Sequence, residues 1–497
     1  MTRSACIATL LVCLIFATHS IEAAAPQVIL SNGQRVSAAR RTYYIRQIQL
    51  DPEINDAGQV VTSAELTTAP PGQEDNDDRE IQSVVLYSPR KGASVIAQTG
   101  DPLPAPNQDR ALGEIRSVRL SQDGSVIFEA TMGDAKSGPN SRDTMSLWHW
   151  RDGKLQLLLV EGERVQGAQL GKITGWNAVV ANDGRVTTVV RPAKGGTNAS
   201  LVVFHDGKVE QSVIGKDAEK KAPGVSFETY LHAAGEHTLV VQTFRPHAGL
   251  GGSRVCRVVG DQLQPVVKSA DDAPEHVLNT AGGEEKIGSI EAVRVTPSGR
   301  VLLFAKPGQK KNPYVLQAIL ASEANFGALH TIALNGNKRN YPKAFDFQNL
   351  MNEPEVAAIS DDGYVAFTDP NDQNKAFYLG APDGKLDKIT TMKDLLKGVS
   401  ARGIWSMSVA NGGLVAFEII ADKGEHSIFV YDAKRGVRRA VGMGVGFPGS
   451  QGELHRFAKQ KDPRTPMTSD GRYVYAWTSR VPASIQPGGV ALIDLKK

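Results

Sequence analysis

EIRSVRLSQDGSVIFEATMGDAKSGPNSRDTMSLWHWRDGKLQLLLVEG (Glu114–Gly162) holds two hairpins in succession. Ile115–Leu120 alternates apolar and polar residues, Gln122-Asp123-Gly124 turns the chain, and Val126–Glu129 runs back. Met145–Trp150 alternates again, Asp152-Gly153 makes a second tight turn, and Leu155–Val160 returns. Period-two alternation bounded by Asp-Gly marks antiparallel hairpins, because tight turns need a positive φ that costs most side chains energy. The stretch therefore reads as one four-stranded antiparallel sheet.

Aligned on its first turn, the same pattern recurs eight times: INDAGQVVTSAEL (Ile54–Leu66), SQDGSVIFEA (Ser121–Ala130), ANDGRVTTVV (Ala181–Val190), HAAGEHTLVV (His232–Val241), TPSGRVLLFA (Thr296–Ala305), SDDGYVAFTD (Ser360–Asp369), ANGGLVAFEI (Ala410–Ile419) and TSDGRYVYAW (Thr468–Trp477). The turn glycines are Gly58, Gly124, Gly184, Gly235, Gly299, Gly363, Gly413 and Gly471, spaced 50 to 66 residues apart. A second turn follows each of the first seven in constant order, at Gly92, Gly153, Gly207, Gly260, Gly384 and Gly436, with Phe326-Gly327 the best candidate in the fifth copy. Near-regular repeats of this size mark solenoids or propellers.

Four antiparallel strands per unit, without helical periodicity, predict an all-β β-propeller of four-stranded blades rather than an open stack with bare end sheets. Eight blades follow from the eight copies, with seven, one copy being irregular, as the alternative. The last copy offers only one strand after its first hairpin, Val490–Leu495, while Gln27–Leu30 and Gln34–Val36 precede the first repeat, which begins near Tyr43. An N-terminal strand completing the last blade would close the ring and remove its edges.

Residues 1–23 read as a secretory signal peptide, with Arg3 in the n-region, Ile7–Ala17 as the apolar core and Ile21–Ala25 supplying the small residues for cleavage after Ala23. That apolar run is too short to span about 30 Å of hydrocarbon. Residues 24–497 are then a single propeller domain with an irregular insertion around 335–355, where Ala344–Met351 could form a short helix. The expected protein is soluble, monomeric and secreted or periplasmic, without stable membrane insertion. A formal charge of +3 gives no argument for nucleic acid. Of three cysteines only Cys256 lies outside the leader, so no disulfide framework forms, and its alternating strand context reads as core.

The units resemble a family of exported bacterial repeat proteins reading N-D-x-G-x-V-x-F … G-L-W … G-x-L … G-D-x-x-P. The matching residues are Asn55-Asp56-Ala57-Gly58-Gln59-Val60, Gly100-Asp101-Pro102-Leu103-Pro104 and Ser146-Leu147-Trp148. More distantly they are similar to the blades of TolB-type and WD40-like propellers. The resemblance implies the fold and carries no activity.

No catalytic, cofactor or metal residue is assigned. The chain has no G-x-S-x-G elbow and no phosphate-cradling loop. His232 and His237 fall around a hairpin turn with the wrong spacing for zinc, so they read as solvent-facing. Acidic runs at Glu74–Asp78, Asp271–Asp272 and Asp369–Asp372 lack a calcium loop's spacing, and turn aspartates read as caps for backbone N–H groups. Lys220-Lys221 and Lys310-Lys311 read as solvated loop charge. Trp148 and Trp150 read as inter-blade core. Trp176 and Trp405, near the innermost strands, read as core with stacking on a sugar or peptide as the alternative. The expected function is a binding or scaffold module contacting a protein or glycan through one loop face, above all Asn335–Glu355 and Thr67–Gln82. The alternative is a propeller enzyme, a glycan hydrolase or lyase with its site at the central channel.

Overall fold

The computed structural model describes residues 26–38, 41–49, 52–70, 81–103, 109–134, 144–165, 168–169, 178–190, 200–213, 225–244, 252–259, 262–268, 277–280, 283–307, 315–336, 357–369, 376–396, 401–421, 426–442, 446–448, 454–457, 467–480 and 489–495. The leader, the proposed helix at Ala344–Met351, the acidic run Glu74–Asp78 and most of both loops singled out above lie outside them.

The chain is an all-β propeller of antiparallel blades. Seven sheets of four or more strands each come from one continuous stretch of chain, and an eighth is assembled from both ends. In the second blade the order is Arg110–Leu120, Val126–Asp134, Thr144–Arg151 and Lys154–Val160, the two hairpins read from the sequence. All eight first-turn glycines have positive φ, from 58° at Gly235 to 97° at Gly363. The space around Gly235 is also closed, since a Cβ there would stand 2.9 Å from the Pro297 Cα of the next blade.

The composite blade closes the ring as expected. Gln27–Ser31 pairs antiparallel with Gly489–Asp494, which pairs with Tyr473–Arg480. Leu30, Tyr475, Val490 and Leu492 then pack against Val60, Ala64 and Val85 of the first blade. Arg35–Ala38 does not join that closing sheet. It folds back on Arg41–Ile48 and meets the first blade's outer strand, Gly92–Gln98, at Ser37–Ser94. The sequence assigned no partner to this segment, since its alternation suits either sheet.

Sheets touch through apolar clusters at every joint of the ring. Val61, Val84 and Leu86 of the first blade meet Val118, Phe128 and Trp148 of the second, with Trp148 stacked 6.4 Å from Phe128. Trp148 is inter-blade core as read, and so is Cys256, 1% exposed against Val189, Leu201 and Val240. The side chains of Trp176 and Trp405 lie outside the described residues. The fifth blade's second turn sits one residue earlier than expected, with Asn325 (φ 54°) and Phe326 (φ 58°) left-handed and Gly327 extended. The Asn325 and Phe326 N–H groups donate to the carbonyls of Ser298 and Gly299, which holds the turn inward. No helix among the described residues is long and apolar enough to cross a membrane.

Leu30 is fully buried in the joint between the composite and first blades. Leu30→Ala should therefore cost about 2–5 kcal/mol in denaturant unfolding. A loss well under 1 kcal/mol would mean that the strand is dispensable for closure.

Candidate functional site

Each blade places its first tight turn near the ring axis, and these turns are bonded to one another. The Asp56 N–H donates to Gln122 Oε1 at 2.8 Å, and Asn182 N–H to the Gly235 carbonyl at 2.7 Å. Gly412 N–H donates to Asp362 Oδ2 at 2.6 Å, Asn411 N–H to the Ser469 carbonyl at 2.9 Å, and Ser469 N–H to Asp56 Oδ1 at 2.6 Å. The turn aspartates also cap their own turns as expected. Asp123 Oδ1 accepts Ser125 N–H at 2.9 Å, and Asp183 Oδ1 accepts Arg185 N–H at 3.0 Å. The carboxylates of Asp56, Asp123, Asp183 and Asp362 are thus committed to backbone donors.

The expectation that His232 and His237 face solvent is corrected. His232 Nδ1 accepts the Val295 N–H of the neighbouring blade at 3.2 Å. His237 is half-buried, its ring edge-on to Phe326 at 5.0 Å, with the Arg257 guanidinium 5.1 Å from the same phenyl ring. Burial, then the Arg257 charge, hold His237 below the usual histidine range. The inward fifth-blade turn is the cause, because it delivers Phe326 onto this hairpin. Among the described residues no group of three or more His, Cys, Asp or Glu side chains is arranged to hold a metal ion.

The residue whose chemistry stands out is Glu129, which the sequence reading passed over. It lies in Val126–Asp134, opposite Ser117 on the innermost strand and Leu147 on the third. It is 1% exposed, and among the described residues neither carboxyl oxygen has a hydrogen-bond partner. The Ser117 hydroxyl stands beside the carboxyl without reaching hydrogen-bond geometry. Burial raises Glu129 to about 7, opposed first by the Arg119 charge, then by Ser117 and Arg116. Arg119 is itself held 2.7 Å from Glu53 Oε1, while Glu53 Oε2 accepts the Leu120 N–H at 2.8 Å. A carboxyl that gains and loses its proton near neutrality, beside the inner wall of the ring, can serve as donor or acceptor.

Its position recurs. Counting five residues beyond each first-turn glycine gives Ser63, Glu129, Val189, Val240, Phe304, Thr368, Glu418 and Ala476, all at most 2% exposed. Glu418 holds the same position in the seventh blade, with Ser406 opposite, and there the serine hydroxyl donates to Oε2 at 3.5 Å. Comparing the copies column by column was the signal that could have found both.

Since the folded pKa of Glu129 lies above the usual 4.5, its contribution to stability is complete below 4.5 and lost as pH rises through about 7. Relative to Glu129→Gln, the wild-type chain should lose about 3 kcal/mol between about pH 4.5 and 8. Parallel denaturant-midpoint profiles for the two chains would sink this assignment. His149 and His237, both held low by burial, titrate in either chain and cancel.

No curated protein matches the chain. Solved structures with a similar fold include the β-propeller domain of the Trilobed protease from Pyrococcus furiosus, 14% identical over 80% of this chain and 97% of that one, TM-score 0.41. Dipeptidyl peptidase 4 of Porphyromonas gingivalis is 11% identical over 89% of this chain, TM-score 0.49, and this chain spans only 60% of its length. TolB from Acinetobacter baumannii is 12% identical over 78% of this chain and 81% of that one, TM-score 0.30. These likenesses concern the fold alone. A model of DUF7453, a family of unknown function, matches residues 16–198 and 54–276, which together cover more than half of the chain. The chain belongs to the DUF7453 family.

Proposed function

We propose that the protein is an exported binding or scaffold module that holds a protein or glycan partner at the end of the ring opposite the tight turns. The observation that carries the reading is the division of labour between the two ends. At one end the first turns are short, and polar groups of several of them are spent on the neighbouring blade. Most connections at the other end are longer, running through 68–80, 135–143, 191–199, 245–251, 308–314, 370–375 and 481–488. A rigid ring with longer connections on one side is a usual basis of recognition. Export rests on the leader at residues 1–23.

Glu129 favours a second reading, a propeller enzyme acting on glycans. Its proton is exchangeable near neutrality, and it stands by the inner strands where such a site would form.

One experiment separates the two. The chain lacking its leader is immobilised, challenged with a native extract and with a glycan panel, and the glycans are analysed for products. Retention of a defined partner with intact glycans is the expected outcome. Cleavage of a glycan that stops in Glu129→Gln would overturn the binding reading in favour of the enzyme.

A further inference from the structure

The outer hairpin of the seventh blade carries DAKRGVRR, Asp432–Arg439, on the strands His426–Asp432 and Gly436–Val441. Four cations and one carboxylate occupy eight residues. Lys434, Arg435 and Arg439 are exposed and Arg438 is half-buried. Other strand and turn arginines meet carboxylates: Arg119 with Glu53, Arg185 with Asp183 and Glu210, and Arg472 with Asp494. Among the described residues none of these four cations forms an ion pair, and Asp432 spends Oδ1 on the Lys434 backbone N–H at 2.8 Å. The outer strand of the sixth blade, Leu386–Thr391, lies alongside and adds Lys388.

Arg438 is the second, independent sign. Its Nη2 donates to the Leu495 carbonyl of the composite blade at 3.3 Å, but among the described residues its buried Nε–H has no partner. Burial and then the neighbouring Arg435 charge hold it below the usual arginine range, with only Asp432 opposing. A half-buried guanidinium crowded by a second one is unfavourable unless a counter-charge arrives, and planar guanidinium groups suit carboxylate and sulfate oxygens.

We propose that the outer hairpin of the seventh blade is a docking surface for an anionic polysaccharide bearing carboxylate or sulfate groups. Arg435 stands in the tight turn and Arg439 on the sheet-edge strand that follows it, both exposed, so the cations lie along an open edge rather than in a pocket. An open cationic edge suits an extended polyanion. The nearest large exposed apolar side chain is Leu386, too little to insert into a lipid surface. This rim is separate from the ring end proposed above, and each surface can stand without the other.

The test measures binding of polygalacturonate and dextran sulfate to the chain lacking its leader at about 50 mM salt, with neutral dextran, phosphatidylglycerol vesicles and single-stranded DNA as comparisons. Arg435→Glu with Arg439→Glu should weaken binding of at least one anionic glycan about tenfold or more, and added salt should do the same. Arg90→Glu with Lys91→Glu, an equal charge change at the exposed outer turn of the first blade, should leave affinity within about twofold. Arg435→Gln with Arg439→Gln replaces the reversal if the latter lowers the melting temperature. The proposal is overturned if neither anionic glycan binds, if neutral dextran binds equally, if vesicles or DNA are preferred, or if the two double variants weaken binding alike. Retention of a partner at the opposite ring end by the Arg435/Arg439 variant would leave the binding-module reading intact while this one fails.

Discussion

The structure depends on a positive φ at one glycine per blade. That single backbone conformation brings the innermost strand back as the second strand within two residues, and so leaves peptide donors and short side chains at the tip. A tip built this way reaches the next blade. Asp56 is the clearest case, since its N–H is given to Gln122 on one side while its carboxylate receives Ser469, 413 residues away in sequence, on the other. Apolar clusters supply the bulk of the cohesion between sheets. The turn contacts add directional constraints where they occur.

Such a ring makes an unusual interior. In an ordinary two-layer fold a strand has one wet face, so polar residues at alternate positions cost little. Here both faces of most blades are covered, and the position five residues past the turn is buried in all eight copies. Placing Glu129 there is costly whenever it is charged. The persistence of Glu129 and Glu418 opposite Ser117 and Ser406 marks the inner wall as the part of the ring where chemistry departs from what packing alone would choose.

That same geometry explains what the sequence made legible. Hairpins, turn glycines and the closing strand are local patterns, and the alternation of residues such as Ile115–Leu120 carries them directly. The burial of Glu129 was hidden because in SVIFEA it reads as the polar half of an amphipathic strand. Only the covering of both faces makes that half interior. His237 was misread for a related reason, since nothing near it in sequence announces that Phe326 of the next blade lies on it. The fifth-blade turn defeated pattern reading because Asn325 and Phe326 hold left-handed conformations that a glycine was expected to supply.

The composite blade also sets an order of events during synthesis. Residues 27–31 leave the ribosome among the first of the ordered segments, yet their pairing partner, Gly489–Asp494, is among the last. Until then Val28, Ile29 and Leu30, all buried in the finished ring, have no sheet to enter. For most of its translation the chain therefore carries an unpaired apolar strand at one end and an open blade edge at the other, a nascent state suited to protection by a holdase chaperone.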